Sequence, residues 1–216
     1  MTNELLPPTS TALVPFTKAN RLSVRQRKRW MEILTSLDSR NSYAVYDELG
    51  NPVFNVEEQG SGIGNFFKRM FLGPTRPFVS HVEDLVGQRQ VLELRRKFRF
   101  IFHRLEVFDA DGNFLGAIQR RWTWFRRVYI VEGADGQEVA KLFGPIFRPW
   151  TFEIHLPGSD VEMGVVQKKW SGLLKEAFTQ ADNFWVELDR IEDPKLRALL
   201  FSATVLIDVV HFERKN

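Results

Sequence analysis

The chain has 216 residues, a formal net charge of +3 and no cysteine, with 44% hydrophobic residues that include 19 Phe and 6 Trp. That length and apolar content suit one folded domain with a sizeable, ring-rich core. The missing thiols exclude disulfides, zinc-thiolate sites, cysteine nucleophiles and S-acylation.

The first 29 residues are the basic part. They hold Lys18, Arg21, Arg25, Arg27, Lys28 and Arg29 against Glu4 alone, so the remainder of the chain is slightly acidic. Three prolines between Leu5 and Phe16 suit an unpacked lead. Residues 1–29 are therefore expected to be a disordered, Pro-containing basic arm, and 30–216 the folded domain. The arm lacks the basic-then-apolar order of a secretory signal, so the expectation is a cytoplasmic chain that is not secreted. A basic arm of this kind is either a solvated linker or an anchor for anionic lipid or nucleic acid.

From Asn41 to Lys168 the pattern is a string of short strands. Residues 47–51, 85–88, 109–113, 133–137 and 157–160 each combine Gly with Asp, Asn or another turn former. Such residues accept the positive φ that tight hairpins require. Between the turns the apolar side chains alternate, as in Trp150, Phe152, Ile154 and Leu156. A period of two marks half-buried antiparallel strands, and many of them in series predict a meander closed into a barrel or sandwich. The apolar phase changes between Phe98, Phe100, Phe102 and Leu105, Val107, which predicts a bulge near His103 or Arg104.

Two segments within this string carry apolar and basic residues where a loop should be polar. The first is Asn65 to Phe78, with Phe66, Phe67, Phe71 and Leu72 around Lys68 and Arg69. Such a loop either inserts into a membrane surface or folds its rings over the barrel mouth. The second is Arg120, Arg121, Trp122, Trp124, Arg126 and Arg127. It can sit at an anionic headgroup layer or stack on bases over a phosphate groove, or be a strand pair with Trp inside and Arg in water.

The end of the chain changes period. Ser171 can cap a short helix to about Ala177, and Asn183 to Leu188 can return as a strand. Asp193 and Pro194 then start a helix to about Val210 as N-cap and first-turn residue. Between Arg197 and Asp208 it carries ten uncharged residues. At 1.5 Å per residue these reach about 15 Å, against a hydrocarbon core of about 30 Å. The helix over about 194–210 is therefore expected inside the sheet.

Catalytic patterns are absent. His81, His103, His155 and His211 are scattered singly, and no phosphate loop, paired-His motif or nucleophile elbow occurs, so the chain is not expected to be an enzyme. Asp109-Ala-Asp-Gly-Asn113 opens like a calcium loop but has no closing glutamate in range, and reads as a hairpin turn.

The run from Trp170 through Ser171, Gly172, Leu173, Leu174, Lys175, Glu176, Ala177, Phe178 and Thr179 to Ala181, Asp182, Asn183 and Phe184 resembles the phospholipid scramblase family. Leu206, Ile207, Asp208, Phe212, Glu213, Gly144, Pro145 and Phe152 to Ile154 extend the resemblance over about residues 41–213. It implies a Tubby-like fold: a closed antiparallel barrel of about twelve strands around a central hydrophobic helix, so a mainly β protein. It further implies bidirectional, energy-independent movement of phospholipids at a membrane, from the cytoplasmic side, as a peripherally associated protein. The alternative within the same fold is an anionic-lipid or nucleic-acid binding adaptor. In the family's frame, two acylated cysteine pairs fall on Phe66-Phe67 and Phe71-Leu72, so direct insertion of these side chains would replace acylation. The family's calcium loop falls on residues 180–191, where Asp182 and Asn183 are kept and Glu187 and Asp189 could substitute in part. Here Gln180, Trp185 and Ile191 replace two carboxylates and a glycine, so calcium is expected to bind weakly or not at all.

Overall fold

The computed structural model describes residues 11–26, 42–59, 77–97, 103–124, 126–148, 150–169 and 183–211. Among them are twelve strands: β1 Arg21–Gln26, β2 Ser42–Tyr46, β3 Pro52–Glu58, β4 Phe78–Asp84, β5 Arg89–Arg96, β6 Arg104–Asp109, β7 Phe114–Arg121, β8 Arg127–Gly133, β9 Glu138–Gly144, β10 Thr151–His155, β11 Glu162–Lys169 and β12 Asn183–Glu187. Each pairs antiparallel with its sequence neighbours, and β1 pairs with β12 to close the barrel. The closing ladder sets Leu22 opposite Val186 and Val24 opposite Phe184, with all four side chains in the core.

The alternation read from the sequence decides which face is inside. In β10, Phe152 and Ile154 are buried while Thr151, Glu153 and His155 are half-exposed. In β6 the register shift lies between Val107 and Phe108, opposite Phe114 and Gly116, and not at the predicted His103 or Arg104. Phe98, Phe100 and Phe102 lie outside the described residues.

The interior is filled by α1, Pro194–His211. Every residue from Arg197 to Val209 is buried, charged ones included. The Asp193 carboxylate caps its start, accepting from the Lys195 and Leu196 amides at 3.0 and 3.3 Å. Inside the helix, Ser202 and Thr204 donate to the Ala198 and Leu200 carbonyls four residues back, so their hydroxyls are satisfied without water. No helix of the described residues is long and apolar enough to cross a membrane.

A 3₁₀ turn, Thr11–Thr17, closes one end of the barrel. Phe16 stacks on Phe54 with ring centroids 4.7 Å apart, and both rings lie against Phe201 of α1. The Arg197 guanidinium donates to the carbonyls of Ala19 and Ile191, tying α1 to the entry of β1 and to the exit of β12. The expectation of a disordered arm over residues 1–29 is corrected for 11–26. Those residues bury Leu13, Phe16, Leu22 and Val24, and the barrel would have an open edge without β1. Residues 1–10 and 27–29 lie outside the described residues.

A meander has two kinds of end. The connections after β2, β4, β6, β8, β10 and β12 all fall at the end that the 3₁₀ turn closes. Two of the turns there are built alike. In Asp47–Asn51 the Asp47 carboxylate accepts from the Leu49 and Asn51 amides, and Asp109 does the same for Asp111 and Asn113. Gly50 and Gly112 supply the positive φ, at 85° and 83°. Every one of these six connections carries a carboxylate, at Asp47, Asp84, Asp109, Asp135, Asp160 and Asp193. The connections after β7 and β9 fall at the opposite end.

Candidate functional site

The connection from β7 to β8 carries the predicted Arg–Trp cluster. The β7–β8 ladder runs to Arg121 opposite Val128, leaving residues 122–126 as a short link beyond the sheet. Within it the Thr123 hydroxyl donates to the Arg126 carbonyl, which tightens the turn. Trp122 and Trp124 do not enter the barrel. They meet edge to face, centroids 4.5 Å apart, and remain 55% and 80% exposed. A soluble surface gains nothing from two large rings in water, so their exposure is informative.

The four arginines of this cluster divide by environment. Arg121 and Arg126 are exposed, and the Arg126 guanidinium also lies 5.2 Å from the Phe143 ring. Arg120 and Arg127 are half-buried. Arg127 covers the Phe152 ring at 4.8 Å, and desolvation lowers the pKa of its guanidinium. The cluster is thus an exposed pair of cations with two Trp, standing on a pair of inward-drawn arginines.

The neighbouring connection, from β9 to β10, was not among the sequence candidates. β9 pairs with both β8 and β10, so this link emerges beside the Trp link. The Arg148 amide donates to the Pro145 carbonyl at 3.2 Å, and the Thr151 amide to the Arg148 carbonyl at 3.1 Å. These two bonds hold Ile146 and Phe147 out at the tip, 51% and 96% exposed. The two links are joined directly: Nη2 of Arg127 donates to the Arg148 carbonyl at 3.3 Å. The signal that the sequence offers for this site is an Ile-Phe pair beside an arginine, between two prolines.

The other predicted sites are not assembled by the described residues. Phe66, Phe67, Lys68, Arg69, Phe71 and Leu72 lie outside them, as do Asp182 and the short helix expected after Ser171. Asn183 opens β12 and Glu187 ends it, so an extended strand of about 13 Å separates them. Glu187 turns to Arg21 at 2.5 Å, and Asp189 sits beyond it in an exposed turn. The backbone thus sets Asn183 and Glu187 at opposite ends of β12, with Glu187 engaged by Arg21. Among the described residues no group of three His, Asp or Glu could hold a metal.

The histidines stand apart from one another. His81 meets Gln59 and Glu93, and His155 lies near Glu153. His103 is buried at the base of β6 and accepts at Nδ1 from the Arg96 guanidinium, so its ring is neutral. Burial, then the charges of Arg96 and Arg120, push its pKa down to about 4.

The chain matches the model of the Scramblase family over residues 1–214. It is similar to phospholipid scramblase 2 of Homo sapiens, 29% identical over 92% of this chain and 69% of that protein. It is also similar to phospholipid scramblase 1 of Rattus norvegicus, 28% identical over 92% of this chain and 62% of that protein. Human phospholipid scramblase 1 is 26% identical over 92% of this chain and 64% of its own length. The chain thus spans about two thirds of the curated relatives it matches. An X-ray structure of a protein from Arabidopsis thaliana superimposes with a TM-score of 0.52 at 14% identity, over 93% of this chain and 99% of that one. That likeness concerns the fold alone.

Proposed function

The chain belongs to the Scramblase family, and from that premise we propose that it promotes bidirectional, energy-independent movement of phospholipids between bilayer leaflets. The observation that carries this reading is the family match along nearly the whole chain, together with relatives that are named phospholipid scramblases. In this reading the protein works peripherally, from the cytoplasmic side.

The task breaks no covalent bond, so it needs no catalytic residue. It needs a lower cost for a polar headgroup in hydrocarbon, a cost of several kcal/mol when the group is unpaired. The barrel interior is unsuited to that passage, because α1 fills it with Leu199, Phe201, Leu206 and their neighbours. Headgroups would instead cross along the outside of the protein, where basic and amphipathic side chains disturb the packing of the adjoining leaflet. Trp122, Trp124, Arg121 and Arg126 have that chemistry and are exposed. The loop holding Phe66, Phe67, Lys68, Arg69, Phe71 and Leu72 has it in sequence. Calcium is not required in this reading, since Gln180, Trp185 and Ile191 stand where the family's loop has two carboxylates and a glycine.

The test is the full chain in liposomes with a fluorescent lipid in both leaflets and a membrane-impermeant quencher, in calcium and in EGTA. Exchange above that of empty vesicles in both media is expected. Tight, salt-sensitive vesicle binding with no exchange in either medium would replace this reading with that of a lipid-binding adaptor.

A further inference from the structure

We infer that the barrel end formed by the β7–β8 and β9–β10 connections is a two-pronged docking face for an anionic phospholipid bilayer, with Trp122 and Trp124 on one prong and Ile146 and Phe147 on the other. The inference rests on the lipid-directed function proposed above and adds where, and in which orientation, the protein meets its substrate.

Exposure alone does not choose this end. Leu49, Val86 and Val161 are exposed at the opposite end too. There, however, each stands within two residues of a carboxylate, at Asp47, Asp84 and Asp160. An apolar residue flanked by negative charge is repelled from an anionic surface. Links 122–126 and 145–150 hold no carboxylate and contribute Arg126 and Arg148, with Arg121 at the sheet edge beside them. Apolar tips and positive charge coincide at this end alone among the described connections.

The charge is also separated along the barrel axis. All six connections at the far end carry carboxylates, and with Glu48, Asp111, Glu187, Asp189 and Glu192 these outnumber the described basic residues there, Lys18, Arg21, Arg89, Arg190, Lys195 and Arg197. A rigid body so polarised is turned by the field of an anionic membrane until its basic end faces the lipid. The docked barrel therefore stands with its strands steeply inclined to the membrane and the Phe16 plug farthest from it.

The composition of the prongs selects a bilayer over other anionic partners. Trp is favoured at the headgroup level, where its ring meets apolar tails and its N–H meets water. Phe147, almost wholly exposed at the tip, suits the acyl boundary. Ile146 has no π-face, so it adds to lipid contact but not to base stacking. The Arg127 to Arg148 carbonyl bond fixes the two prongs relative to each other, so that neither must be ordered upon docking.

The absence of native cysteine allows a direct test. Phe147→Cys and Leu49→Cys are each labelled with an environment-sensitive dye and mixed with phosphatidylcholine vesicles, with or without phosphatidylserine, in EGTA. With phosphatidylserine, the dye at 147 is expected to shift to the blue and to be quenched by nitroxide-bearing lipids, while the dye at 49 stays in water. The unlabelled pairs Ile146→Ser with Phe147→Ser, and Trp122→Ser with Trp124→Ser, are each expected to weaken vesicle binding about tenfold or more. Their melting temperatures, read alongside, should match the parent because the altered side chains are exposed.

Several results would overturn the docking face. One is a dye at 49 that enters the bilayer while that at 147 does not. Another is undiminished binding by both folded serine pairs, and a third is no vesicle binding by the parent chain. Displacement of vesicles by a single-stranded oligonucleotide whose own binding survives Ile146→Ser with Phe147→Ser would assign the face to nucleic acid instead. Lipid exchange is scored separately: exchange that persists when both prongs are altered sinks this inference alone, whereas docking without exchange sinks the scrambling function alone.

Discussion

The Tyr43 hydroxyl donates a 2.7 Å hydrogen bond to Oδ2 of Asp208 inside the barrel, joining β2 to the last third of α1. Both residues are almost wholly buried. A carboxylate in an apolar interior is tolerable only with such donors. Asp208 also bounds the uncharged run that is too short for a bilayer, and the tyrosine across the barrel helps to hold it in the core.

Tyr43→Phe removes that donor and keeps the ring. The expected cost is about 1–3 kcal/mol, seen as a lower urea midpoint at neutral pH. Combined with Asp208→Asn it should show coupling in a double-mutant cycle. An unchanged midpoint in Tyr43→Phe would mean that the bond adds nothing to stability.

His103 predicts an acid-sensitive fold. Its pKa of about 4 in the barrel lies below the value of about 6.5 for a free imidazole. Between those pH values the unfolded chain binds the extra proton, so stability is full above about 6.5 and falls as pH drops toward 4. The loss is on the order of 3 kcal/mol. His103→Gln can still accept from Arg96 and should flatten the melting temperature over that window. A variant as acid-sensitive as the parent would place the sensitivity elsewhere.

Gly116 lies where β7 packs tightly against α1. A Cβ there would lie 2.2 Å from the Glu132 carbonyl oxygen and 3.1 Å from Leu199 Cδ1. Gly116→Ala is expected to cost about 3 kcal/mol. Leu199→Ala should not rescue it, because the tighter clash is with backbone. Rescue in chemical denaturation would show that the helix side chain sets the limit.

The 3₁₀ turn predicts that the beginning of the chain is structural. Phe16→Ala is expected to destabilise by about 3–5 kcal/mol, as for other fully buried rings. A melting temperature within a degree or so of the parent would restore the view of this segment as an arm.

Calcium predicts a null thermal shift. Asn183 and Glu187 stand at opposite ends of β12, and Glu187 is engaged by Arg21. Millimolar calcium against EGTA is expected to leave the melting curve unmoved, whereas a clear upward shift would require a site built from other residues.

Much of this fold was legible because its signals are local. The Asp-x-x-Gly-Asn turns at Asp47 and Asp109 determine their own hairpins through one carboxylate and one glycine. Asp193 and Pro194 announce the start of α1, and the short uncharged run up to Asp208 says that it is buried. The misread segment, 11–26, depends on distant partners: Phe16 makes sense only beside Phe54 and Phe201, and β1 only beside β12. Its prolines and arginines are what an unpacked arm would also show. The candidate site was half legible for a similar reason. Two Trp among four Arg stand out in any sequence, but Ile146 and Phe147 have the composition of core residues. Their exposure follows from Arg148 and Thr151 closing a turn beyond the sheet, which only the pairing of β9 with its neighbours locates.

The ladder between residues 21–25 and 183–187 has a consequence for biosynthesis. The first strand to leave the ribosome must wait for the twelfth, and the rod that fills the lumen is translated later still. Until then, inward faces made of Val, Leu and Phe stay wet on a growing, unclosed sheet. Contacts of such large sequence separation form slowly. The decisive step of folding therefore waits until residues 183–211 have been made. A premature stop ahead of residue 194 would remove the stuffing from the barrel and deliver an aggregation-prone sheet to the cell.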